Sequence, residues 1–134
     1  MKIVVDTNIL FSFFWKNSVT RKLLIASNFE LIAPELVFNE LKKYSNEIIK
    51  KTKITKQFFK NEFLNLKKII DFVNYKEYTS YIKAARKIFP DRDDAELFAL
   101  CLRYSCFLWS NDSILKKQDK IKVFSTDDLI ESLF

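Results

Sequence analysis

Two aspartates follow short apolar segments of this sequence, one directly and one after two small polar residues, and an enzyme could use a carboxylate at such a position. Asp6 lies in the motif VVDTN and Asp112 in the motif WSND, each beside small polar residues. Apolar runs of this length are typical of strands that are buried on both faces, as the strands of a parallel sheet are. Because such a sheet binds its ligands beyond the carboxyl ends of its strands, we expect both aspartates at a ligand site.

Other acids are predicted on helices. Asp91 and Asp94 are three residues apart in DRDDAELFAL, so they are expected to share one face of a first helical turn, whereas Asp93 and Glu96 are expected to project elsewhere. Glu40 in APELVFNEL lies on a largely apolar helix stripe. Taken singly, these acids have ordinary explanations as helix caps, turn residues or solvated side chains. Acids that a parallel fold brings together would repel one another, which indicates that a cation holds them.

The composition restricts both the cation and the chemistry. The chain contains no histidine and no glycine. This excludes imidazole ligands, a histidine base, and the glycine-rich loops that bind dinucleotides or nucleoside triphosphates. Ligation by oxygen alone favours Mg²⁺ or Mn²⁺. One or two such ions can activate water and stabilise the leaving oxygen in phosphodiester cleavage, which is the chemistry of a nuclease.

The elements that must position these acids alternate between strand and helix. Strands are predicted at Ile3–Val5, Phe29–Ala33, Phe72–Tyr75, Cys106–Trp109 and Ile121–Phe124. Helices are predicted within Thr7–Trp15 with Thr7 or Asn8 as the cap, after a cap at Ser18 or Thr20, from Pro34, from Thr55 to about Ile70, up to Phe89, from Asp91, and at Thr126–Leu133. This alternation predicts a parallel sheet covered by helices on both faces.

The length of 134 residues fits one domain, residues 1–134, with a hydrophobic core of its own. No segment approaches the roughly 20 apolar residues of a membrane helix, and the start of the chain lacks the features of a signal peptide. We therefore expect a soluble, cytoplasmic protein without a membrane partner. Cys101 and Cys106 are expected to be reduced thiols in the core.

The ordered motifs VVDTN, APELVFNEL, DRDDAELFAL and WSND resemble those of the PIN-domain endonucleases, a family that includes the VapC-type toxins of bacterial and archaeal toxin–antitoxin systems. The resemblance extends over essentially the whole chain. It implies a three-layer α/β/α sandwich with a central parallel sheet, and metal-dependent cleavage of RNA, usually single-stranded. It also implies that the catalytic and metal-binding acids are Asp6, Glu40, Asp94 and Asp112, with Asp91 as an accessory ligand. Polar groups that orient these acids are implied at Thr7 or Asn8 and at Ser110 or Asn111.

The expected function is therefore that of a divalent-metal-dependent endoribonuclease, the toxin component of a toxin–antitoxin system. Glu40 either completes the ligand set or orients the attacking water. The formal net charge is +6, and lysines are concentrated between Lys42 and Lys68. Such lysines either steer single-stranded or structured RNA, or simply face solvent. The candidates for RNA binding are Lys42, Lys43, Lys50, Lys51, Lys53 and Lys56.

Aromatic residues cluster early in the chain, at Phe11, Phe13, Phe14 and Trp15. Most aromatic side chains are expected in the core, and the remainder could form an apolar patch for a homodimer or for the helix of an antitoxin. Trp109 is expected to be buried. Alternative functions are an RNA-processing PIN nuclease outside a toxin–antitoxin pair and a PIN scaffold that binds RNA or a partner without cleaving. A phosphoacceptor or phosphatase is disfavoured, because the first strand ends in DTN and not in an acid pair or DxD.

Overall fold

A computed structural model of the chain describes residues 1–133. Within them, five strands alternate with helices. The strands are β1 (Lys2–Val5), β2 (Glu30–Pro34), β3 (Ile70–Val73), β4 (Phe107–Trp109) and β5 (Val123–Phe124). The helices are α1 (Thr7–Phe11), α2 (Val19–Ala26), α3 (Glu35–Lys43), α4 (Ser45–Thr52), α5 (Lys56–Ile69), α6 (Ile82–Ile88), α7 (Arg92–Tyr104) and α8 (Thr126–Leu133). Short 3₁₀ helices span Ser12–Phe14, Tyr75–Glu77, Thr79–Tyr81 and Ser113–Lys117.

All strand pairs are parallel, in the order β3-β2-β1-β4-β5, so β1 is the central strand. Consecutive residues of a strand point to opposite faces of a sheet, and Ile3, Val4 and Val5 are all fully buried. Helices therefore cover both faces. The predicted three-layer α/β/α sandwich with a central parallel sheet is confirmed.

The strand order reverses between β1 and β4. After β1 the chain adds β2 and then β3 on one side, and it returns to place β4 and β5 on the other. Val5 pairs with Trp109 in this register, and the next backbone N–H, that of Asp6, donates to the Trp109 carbonyl at 3.0 Å. The carboxyl ends of β1 and β4 therefore form the crevice where open parallel sheets bind ligands.

Several element bounds differ from the sequence prediction, among them the start of β5, which is Val123 and not Ile121. The cap of α1 is Asp6 itself and not Thr7 or Asn8, because the Asp6 carboxylate accepts the first helical N–H. Strand β3 begins two residues early, at Ile70, since α5 runs directly into it. Helix α4 was not predicted, because its sequence SNEIIKKT is mostly polar and only Ile48 in it is buried.

Other local predictions hold. Ser18 caps α2 and Thr55 caps α5, each by accepting a backbone N–H. Pro34 immediately precedes α3. Cys101 and Cys106 are free thiols, the first buried and the second half-buried. Among residues 1–133, no helix combines the length and the apolar character needed to cross a membrane.

Candidate active site

The carboxylate of Asp6 is buried and held by three donors. The side chain directly follows β1 and is 8% exposed. Its Oδ1 accepts from the Thr7 backbone N–H at 2.6 Å, and its Oδ2 accepts from Ser110 Oγ at 2.7 Å and from Asn8 Nδ2 at 3.3 Å. These bonds fix the carboxylate at the carboxyl edge of the central strand.

Ser110 connects the ends of β1 and β4. Its hydroxyl donates to Asp6 and accepts the Asp112 backbone N–H at 3.1 Å, and the residue is 1% exposed. Asp112 in turn accepts the Ile114 N–H at 3.0 Å and so caps a 3₁₀ helix. One hydroxyl therefore sets the position of two of the predicted acids.

The segment before α7 brings further acids to the same edge. Asp91 is the N-cap of α7, and its Oδ1 accepts the N–H groups of Asp93 and Asp94 at 3.1 and 3.2 Å. The capping explanation is thus correct for Asp91. Asp91 precedes the first residue of α7, so helical periodicity does not fix where its side chain lies relative to that of Asp93. The two side chains can therefore lie on the same side of the turn. Asp93 lines the site, contrary to the expectation that it projects elsewhere.

Glu40 comes from a different helix, α3, and is half-buried. It lines the same cavity as the aspartates, a cleft of about 340 Å³ that we call the acidic cleft. Its walls are formed by Asp6, Thr7, Asn8, Phe11, Leu36, Val37, Glu40, Asp91, Asp93, Asp94, Leu97 and Asp112. The structure therefore brings all five predicted acids, from four separate segments of the chain, to one cleft.

Burial and mutual repulsion raise the pKa values of three of these acids. Desolvation is the largest cause in each case. The pKa of Asp94 is raised to about 6, with added repulsion from Asp91, Asp6 and Asp112. The pKa of Asp6 is raised by burial and by Asp112, although its hydrogen bonds from Ser110 and Thr7 oppose the shift. Charges that include Asp93 and Asp6 add to the raised pKa of Glu40.

This donor set fits a hard divalent cation. Carboxylate oxygens are the ligands that Mg²⁺ and Mn²⁺ prefer, and repulsion among them is relieved by a bound cation. Among residues 1–133, no three acidic side chains are placed closely enough to hold a metal ion as they stand. Carboxylate oxygens of Asp6, Asp91 and Asp112 instead accept backbone N–H groups at the starts of helices. The fit thus rests on the chemistry of the cleft and on the mutual repulsion of its carboxylates.

The family model of the PIN domain matches residues 4–127. The chain belongs to the PIN-domain family. The fold is also similar to the crystal structure of VapBC2 from Rickettsia felis bound to a DNA fragment from their promoter, with a TM-score of 0.70 and 16% sequence identity over 93% of this chain and 98% of that chain. No curated protein has a sequence that significantly matches this chain.

PIN domains are a family of nucleases that generally depend on divalent metal ions. In this PIN domain the polar residues beside the acids differ in what they contact. Asn8 and Ser110 bind Asp6 through their side chains, and Thr7 does so through its backbone. The Asn111 side chain points away from Asp6, and its Oδ1 accepts the N–H of Thr126, the first residue of α8, at 2.8 Å. Asn111 reaches the site only through its own N–H, which donates to Asn8 Oδ1 at 3.5 Å.

Two further features of this PIN domain were not predicted. Arg21, in the first turn of α2, pairs with buried Glu62 of α5 at 2.7 Å and so connects α2 to α5. Tyr78 is buried and donates to Glu96 Oε1 at 2.6 Å. Pairs formed by residues so far apart in sequence leave no local pattern. The six candidate RNA-binding lysines are exposed, and none is among the described residues that line the acidic cleft.

Ser110→Ala should weaken the site without unfolding the PIN domain. It removes the donor to Asp6 Oδ2 and the acceptor of the Asp112 N–H. Loss of an outer-sphere hydrogen bond at a metal site typically costs 10- to 100-fold in metal affinity or activity. We expect a loss of about that size in Mn²⁺ affinity, measured by isothermal titration, and in RNA cleavage. Ser27→Ala is the matched control, because Ser27 Oγ also accepts a backbone N–H, that of Phe29, before β2. Equal losses in both variants would contradict a specific role for Ser110.

Proposed function

We propose that this PIN domain is a divalent-metal-dependent endoribonuclease and the toxin component of a toxin–antitoxin pair. One observation carries the proposal, namely the convergence of Asp6, Glu40, Asp94 and Asp112 on one cleft at the carboxyl edge of the sheet. Membership of a nuclease family supports the reaction class. The resemblance of the motifs to those of VapC-type toxins supports the biological role.

In this proposal Asp6, Asp94 and Asp112 hold one or two ions, with Asp91 as an accessory ligand. When bound, Mg²⁺ or Mn²⁺ supplies activation of water and neutralises charge on the scissile phosphate. Ser110 and Asn8 keep the Asp6 carboxylate in one orientation, so the site loses little entropy when it binds its ligand. Glu40 comes from α3, separately from the aspartates, and either completes the ligand set or orients the attacking water.

The basic region of the chain is proposed to bind the RNA backbone. Its six candidate lysines are exposed on α3, α4, the following turn and the start of α5. Neutralising phosphates releases counterions, so affinity for RNA falls as the salt concentration rises. A protein antitoxin and a second copy of the chain are the proposed protein partners. Val19, Ile25 and Leu64 are each more than half exposed and supply apolar surface for such contacts.

The proposed mechanism predicts the ends of the RNA products. Because water is the nucleophile and not the neighbouring 2′-hydroxyl, cleavage should leave 5′-phosphate and 3′-hydroxyl ends. The test is digestion of a single-stranded RNA with Mn²⁺, followed by end analysis with a 5′-phosphate-dependent exonuclease and mass spectrometry. EDTA should stop the reaction. A 2′,3′-cyclic phosphate product would refute attack by water.

A further inference from the structure

Trp15 is exposed, unlike the aromatic residues directly before it. Phe13 and Phe14 are at most 1% exposed and belong to the core, whereas Trp15 is 48% exposed. A single exposed apolar residue is common, but an exposed tryptophan beside positively charged side chains can stack against a nucleic-acid base. The surroundings of Trp15 therefore decide what it does.

Trp15 lines a second cleft, of about 510 Å³, which we call the tryptophan cleft. The seven residues that line it are Trp15, Lys16, Asn17, Ser18, Thr52, Lys53 and Ile54. None of these seven residues is acidic, and two are lysines. The acidic cleft has the opposite character. The tryptophan cleft thus combines an aromatic surface with positive charge, which complements a planar base attached to phosphates.

The two lysines of the tryptophan cleft are positioned in different ways. Lys16 Nζ lies 4.3 Å from the centroid of the Phe58 ring, a cation–π contact that limits where its charge can move. Lys53 ends α4 in a left-handed backbone conformation, with φ 59° and ψ 31°. Asparagine or glycine suits this conformation better than lysine does, so the backbone itself does not favour a lysine there. The tryptophan cleft therefore has one lysine in contact with an aromatic ring and one at the end of α4.

The two clefts lie at the same edge of the sheet. Helix α2 leads back to the start of β2, and α5 leads directly into the start of β3, so both helices begin at the carboxyl edge. The residues just before these helices form the tryptophan cleft. Phe11 of the acidic cleft and Trp15 are separated only by the 3₁₀ helix Ser12–Phe14. A strand of RNA lying along this edge can therefore contact both clefts.

We propose that the tryptophan cleft is a subsite for single-stranded RNA, in which one base stacks on the Trp15 indole and the adjacent phosphates lie beside Lys16 and Lys53. This inference rests on the proposed ribonuclease function and extends it, because it assigns a place to nucleotides that flank the scissile bond. Stacking is tolerant of sequence, since every base has an aromatic face. The subsite therefore supplies affinity and register more than base specificity.

Binding is tested on the intact chain in EDTA, so that no cleavage occurs, with a short oligoadenylate as the probe. The chain has two tryptophans, and Trp109 is 1% exposed, so quenching of the fluorescence reports on Trp15. We expect the wild-type emission to fall on titration and the emission of Trp15→Phe to stay constant. Trp15→Ala should bind roughly tenfold more weakly, the loss typical of one base–aromatic stack, while Trp15→Phe should retain most of the affinity.

Matched controls exist at the opposite edge of the sheet. Tyr104 ends α7 there, with Lys2 Nζ 5.2 Å and Arg103 Cζ 4.8 Å from its ring, so Tyr104→Ala removes another aromatic group flanked by cations. It should leave the affinity unchanged. Lys16→Gln should lower the slope of log affinity against log salt by about 0.7, and Lys122→Gln, which removes a lysine over the Phe124 ring, should not.

The outcomes separate this subsite from the proposed function. With Mn²⁺ present, Trp15→Ala should raise the KM for RNA about tenfold and leave kcat unchanged. If Trp15→Ala cleaves RNA with the wild-type KM and binds oligoadenylate with the wild-type affinity, the proposed subsite is refuted. The ribonuclease function would be unaffected by that result, and the tryptophan cleft would instead be a surface for a protein partner. Quenching of Trp15 by oligoadenylate without any cleavage by the wild type would support the subsite and refute the nuclease.

Discussion

Asp6→Asn and Asp94→Asn should each lower the rate of Mn²⁺-dependent RNA cleavage by about a thousandfold or more. A divalent ion contributes several kcal/mol of charge stabilisation to phosphodiester cleavage, and each 1.36 kcal/mol corresponds to a factor of ten in rate. An amide in place of either carboxylate removes the negative charge that holds the ion. The measurement is the initial rate of cleavage of a labelled single-stranded RNA, together with growth of cells that express each variant, since loss of cleavage should abolish growth arrest.

These substitutions should leave the fold intact, which makes the result interpretable. Asparagine caps a helix about as well as aspartate, since its Oδ1 can still accept the N–H of Thr7, and its NH2 group can donate to Ser110 Oγ in place of the bond that Asp6 Oδ2 accepts. Asp94→Asn removes a carboxylate that is repelled by four neighbouring acids, so thermal stability should not fall. Asp71→Asn, on the exposed side of β3, is the control and should cleave normally. Full activity in either of the two site variants would end the assignment of the acidic cleft as the catalytic centre.

A divalent cation should stabilise the protein in a strongly pH-dependent way. Asp94 has a pKa of about 6 in the folded protein against 3.8 for an ordinary aspartate, so the folded state binds the proton more tightly. The stability that this group contributes is complete below about pH 3.8 and is lost as the pH rises through about 6. Above pH 6 a cation can replace the proton. At a hundredfold excess over its Kd, Mn²⁺ should add about 2.7 kcal/mol, which corresponds to a rise in Tm of roughly 10 °C.

Thermal unfolding with and without Mn²⁺ at pH 5 and pH 7.5 tests this prediction. The shift should be close to the full value at pH 7.5 and much smaller at pH 5, where protons compete for Asp94. The Asp128 carboxylate, whose pKa is lowered to about 2 mainly by Lys116, titrates well below this range and does not contribute. Asp94→Asn should reduce both the metal shift and its pH dependence, and Asp71→Asn should change neither. Equal Mn²⁺ shifts at the two pH values, or in Asp94→Asn and wild type, would contradict metal binding by Asp94.

Most of the fold followed from local patterns. The apolar run before Asp6 predicted a buried parallel strand, and the candidate cap Ser18 and the helix expected from Thr55 agree with the starts of α2 and α5. Where apolar residues were sparse, as in α4, the pattern was too weak to predict a helix. The bounds of β3 were wrong because a helix that runs straight into a strand leaves no turn residues to mark the boundary.

The sequence by itself determined which acids this protein offers and at which edge of a parallel sheet two of them would lie. It could do so because the periods of helices and strands are local, so the residues themselves fix which side chains follow a strand or open a helix. Only the tertiary structure decided that Ser110 binds Asp6 across 104 residues, that Asp93 joins the acidic cleft, and that Trp15 faces solvent beside two lysines. Those contacts depend on the register of β1 against β4 and on the packing of helices from distant segments, and such long-range distances are not encoded in the spacing of neighbouring residues.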